Sequence, residues 1–220
     1  MIDIKRARTE FEHYLDGFDR NNEKIRLKII HTNEVVRCAG EIAKRMDHAH
    51  FGVELLFGPD DPLIRSFVPS DRWDDIIREA IGRHSAYSVG FIEDERTLLH
   101  ARLIRDADKL DNCRVKLMDD IKVLVGMDAE EVGAQPITDR VFQACMDHKS
   151  VRSAERITKM DYWISYIAYF FDINFRETFQ IIREDDFVDR IIGRIPYSNP
   201  DTREKMERFR QIMNDYICSF

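Results

Sequence analysis

Apolar residues recur three and four positions apart along most of this chain, and no alternating apolar and polar run of useful length lies between its turn signals. That period belongs to helices, so the spacing predicts an all-α fold. The 220 residues are 44% hydrophobic, enough to fill the core of one or two domains. No apolar run approaches the roughly 20 residues that span a bilayer, and the opening stretch MIDIKRARTEFEHYL is too charged for a secretory signal. A net charge of −7 lacks the basic excess that holds proteins on nucleic acid or anionic lipid, although a local basic patch could still receive a small anion. The expectation is a cytoplasmic protein, with no membrane partner and no nucleic acid bound by bulk charge. Cys38, Cys113, Cys145 and Cys218 lie far apart without a CxxC spacing and read as reduced thiols, neither a disulfide framework nor a zinc-thiolate site.

The periodicity places a first amphipathic helix over Asp3 to about Phe18. A second pattern starts near Asn22 and runs through Ile29, Val36, Ile42, Met46, Phe51 and Leu56 without a proline, until Gly58 to Pro62 stops it. A short helix over Leu63 to Phe67 follows, and Pro69-Ser70-Asp71 opens another that reaches His84. After a loop from Ser85 to Gly90, Glu93 to about Val125 reads as one long helix. Gly126 to Pro136 is the best candidate boundary, dividing a helical domain over 1–126 from a helical extension over 127–220 packed on it. Trp163, Ile167, Phe170, Phe179, Ile191 and Phe209 are among the expected core residues of the extension.

Four side chains with ligand chemistry sit on helical faces. His31 shares a stripe with Val35, Cys38 and Ile42, and His84 with Ile77, Ala80 and Ile81, so both imidazoles are expected to point inward. Phe51 and Leu55 make His48 a third inward candidate. Asp108 lies between Ile104 and Val115 on a partly apolar face, where an unpaired carboxylate is costly and asks for a partner. One inward histidine is most often a core residue bonded to a carbonyl. Three histidines with an acid are better explained by one shared site, because imidazole and carboxylate suit zinc, manganese or iron. Arg105 and Lys109, a turn apart beside Asp108, could neutralise a phosphate; the alternative is a solvated helix face. His50 and His100 read as structural, and Lys149, Arg152 and Arg156 as an unassigned basic group.

These residues carry a resemblance. Lys24 to Val36 (KIRLKIIHTNEVV), Met46 to Gly52 (MDHAHFG), Ala80 to Ser85 (AIGRHS) and Asp106 to Asp111 (DADKLD) resemble, in order, motifs of the HD-domain metal-dependent phosphohydrolases. The resemblance covers about Lys24 to Val115. It implies an HD-like helical bundle with a helical C-terminal extension and a phosphohydrolase acting on a phosphate ester such as a nucleotide. It also implies His31, His48, His84 and Asp108 as ligands of divalent metal ions, one or two of Mn, Fe, Zn, Mg or Ni. Within DADKLD it selects Asp108 over Asp106 and Asp111.

One segment departs from that pattern. An apolar stretch ending in His-Asp should stand between the first two motifs, and here Lys44-Arg45-Met46 runs straight into Asp47-His48. The resemblance makes the missing aspartate a bridge between one metal on His31 and Asp108 and another on His48 and His84. Geometry adds a constraint of its own. One helix over 22–57 would be about 54 Å long against a diameter near 45 Å for a compact chain of this size. His31 and His48 would then stand about 25 Å apart, too far to share a site within one chain. Three arrangements remain open: a sharp turn between about Lys44 and Gly52, a domain-swapped homodimer that builds the site in trans, or an internal segment missing from the sequence. The competing functions are a metal-free regulatory protein that binds a nucleotide or other phospholigand without turnover, and a helical dimerisation protein.

Overall fold

The computed structural model describes residues 4–20, 22–27, 29–30, 47–59 and 62–220. It divides into two units, Met1–Phe51 and Gly52–Phe220. The described residues are mostly helical, and none of them forms a strand, so the fold is all-α as the period predicts. No helix among them is long and apolar enough to cross a membrane.

The first unit holds α1 (Ile4–Leu15), helical residues at 23–27 and 29–30, and the start of α2 (His48–Phe57). Arg20 folds back on the end of α1, donating to the Glu12 carboxylate at 3.0 Å, the Glu12 carbonyl at 3.1 Å and Asp16 at 2.9 Å. The single helix that the pattern allows over 22–57 is interrupted. Asp47 is not helical, and its Oδ1 accepts the Ala49 and His50 amides at 2.9 and 3.3 Å, starting a new helix at His48. Those two hydrogen bonds hold its carboxyl below the ordinary aspartate range.

In the second unit, the Phe57 ring lies 4.5 Å beneath the Arg78 guanidinium of α3 (Asp74–Arg83). Two 3-10 turns, Leu63–Ser66 and Asp71–Trp73, lead into α3, and an ion pair from Arg65 to Asp74 ties the first turn to its start. α3 packs along α4 (Glu95–Met118), which Asp94 caps by accepting the Thr97 amide at 2.7 Å. The sequence reading carries this helix to Val125. It ends instead at Met118, with Asp119 extended, and Asp120 caps a separate α5 (Ile121–Val125) by accepting the Lys122 amide at 2.8 Å.

Gly126, at φ +77°, closes α5 in the left-handed conformation that glycine adopts at helix ends. Beyond it come α6 (Ala129–Gly133), α7 (Asp139–Met146), α8 (Lys159–Ala168), a 3-10 turn (Tyr169–Asp172), α9 (Arg176–Glu184), α10 (Phe187–Ile192) and α11 (Pro200–Cys218). Trp163, Ile164, Phe170 and Phe209 lie at the centre of a core that also takes in Cys113 of α4 and Val125 of α5. One core therefore runs through both sides of Gly126 to Pro136, and the candidate boundary between 1–126 and 127–220 lies inside the second unit.

Candidate functional site: a basic cavity around Asp108

Arg105, Asp108, Lys109 and Asn112 fall at i, i+3, i+4 and i+7 on α4, so one face of the helix presents all four. They form one wall of a cavity of about 540 Å³. His84, Ser85, Ala86 and Tyr87, just past α3, form another, and residues 150–154 and 156 with Tyr169 and Asp172 complete it. Four cations (Arg105, Lys109, Arg152, Arg156) and two carboxylates (Asp108, Asp172) line it, leaving two surplus positive charges with His84 neutral. The chain is acidic as a whole, but this cavity is basic.

Arg105 organises the site from beneath. Although only 2% exposed, it donates through Nη1 to the carbonyls of Arg83, His84 and Ala86 at 2.9, 3.1 and 2.8 Å. Its Nη2 pairs with Asp172. One guanidinium thus satisfies carbonyls past the end of α3 and fixes the strip that carries His84. Lys109 is also buried, with Nζ 2.9 Å from Asp172. Burial holds its ammonium below the ordinary lysine range, and Asp172 offsets part of that. Neither cation is on a solvated helix face.

His84 is half-buried, and its Nδ1 lies 2.7 Å from the Ile81 carbonyl. A carbonyl only accepts, so Nδ1 carries a proton, the orientation that second-sphere carbonyls impose on metal-binding histidines. The three aspartates of DADKLD are separated by their partners. Asp106 is 1% exposed and accepts the Asn174 amide, the Asn174 side chain and the Phe175 amide at 3.1, 2.8 and 3.0 Å, anchoring the start of α9. Asp111 is exposed and paired with Arg114. Asp108 is half-buried and lines the cavity, and its carboxylate makes no hydrogen bond or ion pair among the described residues.

Of the remaining candidates, His31 lies outside the described residues. His48 begins α2 in the first unit, where it is exposed and not inward as its spacing to Phe51 and Leu55 predicts; as the first helical residue it precedes the turn on which that stripe is built. Among the described residues no three His, Cys, Asp or Glu side chains form a group able to hold a metal ion. Arg83, beside His84, donates to the Val89 and Phe91 carbonyls at 3.2 and 3.1 Å. His100 lines a separate apolar groove with Trp73, Ile77 and Ile104.

The cavity also contains residues that carry no local sequence signal for this site or only a partial one. Asp172 and Tyr169 come from a 3-10 turn more than fifty residues beyond α4, and no local pattern marks them. Burial pushes the Tyr169 phenol well above its ordinary range, so it stays a neutral hydroxyl. Arg152 and Arg156 do leave a signal, the basic group after Gly126, but nothing in the spacing says that it faces His84. No protein-family model, curated protein or solved structure matches this chain.

Proposed function

We propose that this protein is a metal-dependent phosphohydrolase that binds a phosphate ester in the basic cavity. The observation that carries the reading is the joining of Asp108 and His84 with four cations in one concave site of about 540 Å³ on an otherwise acidic chain. The two have the donor chemistry of a divalent-metal site. Asp108 presents a carboxylate with no partner among the described residues, and His84 is an imidazole whose ring is oriented by the Ile81 carbonyl. His31 and His48 are the sequence-based candidates for the rest of the ligand set. A bound divalent metal would supply a water of lowered pKa and polarise a phosphoryl oxygen.

The chain's own residues account for binding. Lys109 and Arg105, held by Asp172, set positive potential along α4, where a phosphate dianion would be attracted. Tyr169 offers a neutral hydroxyl as a hydrogen-bond donor. Asp108 and His84 stand on elements fixed by Arg105, so the donor positions are set before a ligand arrives.

The experiment is metal analysis of the purified protein, with phosphate release from p-nitrophenyl phosphate in the presence of Mn, Zn, Mg, Fe or Ni. Wild type is expected to retain a transition metal and turn over; Asp108→Ala and His31→Ala are expected to lose most of the metal and at least about 100-fold in rate. Unchanged metal content in both variants rejects the ligand assignment. The absence of the His-Asp doublet before Asp47 favours a second reading, a phospholigand-binding protein without turnover. A metal-free wild type that binds phosphate but releases none from the ester selects it.

A further inference from the structure

The wall contributed by residues 150–156 carries two guanidinium groups that no carboxylate neutralises among the described residues. Arg152 sits over the Tyr87 ring, 4.2 Å from its centre, and the Tyr87 hydroxyl donates to the Ser150 carbonyl at 3.1 Å. Ring and cation therefore brace the same segment. Arg156 sits over Tyr162 at 4.5 Å, and its Nη1 donates to Ser165 Oγ at 3.4 Å. Stacking positions a guanidinium over a ring face while in-plane N–H groups stay available for phosphoryl oxygens. Arg156 also donates through Nε to the Ser153 carbonyl at 3.5 Å, which leaves Nη2 for a ligand. Across the cavity, Arg105 and Lys109 share Asp172 and stand beside Asp108, so the charges on that side cancel and the cavity's two surplus positive charges lie on Arg152 and Arg156.

One phosphate does not use this arrangement. The cavity of about 540 Å³ has room for roughly eighteen waters at about 30 Å³ each, and a phosphate has five heavy atoms. We infer that residues 150–156 form a second phosphoryl subsite, built on Arg152 and Arg156, and that the cavity takes ligands bearing two linked phosphoryl groups. One phosphoryl group lies toward Lys109 and Asp108 and the other toward the two arginines. This rests on the cavity being a phosphate-ester site and adds the class of ester, a diphosphate.

The test is calorimetric titration of the full chain with inorganic phosphate and with pyrophosphate at fixed ionic strength, with a chelator present so that pyrophosphate's own affinity for metal does not enter. Wild type is expected to bind pyrophosphate at least about tenfold more tightly than phosphate. In Arg152→Gln/Arg156→Gln that ratio is expected to fall to near one. Equal wild-type affinities overturn the subsite, as does a double variant that weakens both anions by the same factor. If circular dichroism shows the double variant unfolded, Arg152→Gln alone carries the test, because Arg152 is exposed; its ratio must fall, and an unchanged ratio overturns the proposal. Wild type that binds neither anion rejects the phosphate-ester reading itself, a result distinct from equal binding. Adenosine diphosphate separates the sources: tighter binding than pyrophosphate points to a nucleotide and equal binding to the diphosphate alone, and affinity below that of inorganic phosphate overturns the subsite.

Discussion

Arg105 is the residue on which most of the cavity depends, because its charge is buried and its Nη1 and Nη2 donors are spent on backbone carbonyls and one carboxylate. A buried cation of this kind depends on its partners, and removing the fork leaves carbonyls and Asp172 without it. Lysine keeps the charge but offers a single ammonium in place of a planar fork. Arg105→Lys is therefore expected to destabilise the protein by about 2–3 kcal/mol in urea denaturation and to weaken phosphate binding, because the strip carrying His84 loses its anchor. A stability within about 0.5 kcal/mol of wild type would show that water or Lys109 replaces those bonds. The same contacts show why the aspartates of DADKLD could not be separated by spacing alone. All three lie within six residues of one helix, and their difference comes from Asn174, Phe175 and Arg114, two of which are more than sixty residues away.

At the scale of elements, the connection after α5 is stitched to the C-terminal helix and is no linker. The Gly133 carbonyl accepts the Asn199 amide at 3.2 Å, and the Gln135 carbonyl accepts Thr202 Oγ1 at 2.7 Å. A Cβ at Gly133 would stand 2.2 Å from the Pro196 carbonyl oxygen, a backbone atom that cannot turn aside. Gly133→Ala is accordingly expected to cost about 1–3 kcal/mol, read as a lower thermal midpoint, and an unchanged midpoint would mean that this close approach is dispensable. Glycine and proline in this stretch suggest a domain boundary locally, and the long-range bonds that cross it leave no local signal. The break between α4 and α5 is of the same kind. Met118-Asp119-Asp120-Ile121 fits a continuing helix, yet Arg194 donates to the Lys116 carbonyl and, at 2.7 Å, to the Asp119 carbonyl, satisfying the end of α4 from more than seventy residues away. The helical period and the positions of α1, α3 and α4 were legible because amphipathic spacing is local. The second wall of the cavity was not, because tertiary packing alone brings Arg152, Arg156 and Asp172 to Asp108.

Over the whole molecule, the core that joins α4 to the C-terminal helices sets a pH dependence. Cys113 and Cys145 are buried in that core, and burial pushes both thiols from 9.0 up to about 12. A folded-state pKa above the unfolded one means that, between about pH 9 and 12, the folded chain keeps protons that the unfolded chain releases. The stability these thiols contribute is intact below pH 9 and is lost as pH rises through that window, at up to about 1.4 kcal/mol per pH unit for each. Tyr197 and Tyr169, also raised by burial, act in the same direction above pH 10. Lys109 and Lys116 act against it, since burial lowers both and the unfolded chain then holds the extra protons until about pH 10.4. With Tyr166 and Tyr216, six raised acids outweigh two lowered lysines, so the urea midpoint is expected to fall from pH 8.5 to 11. In Cys113→Ala/Cys145→Ala the midpoint at pH 8 should be lower, because two core side chains are truncated, but its fall between pH 9 and 11 should be markedly shallower. A double variant that keeps the wild-type slope would place the alkaline loss in the tyrosines, not in the thiols of this core.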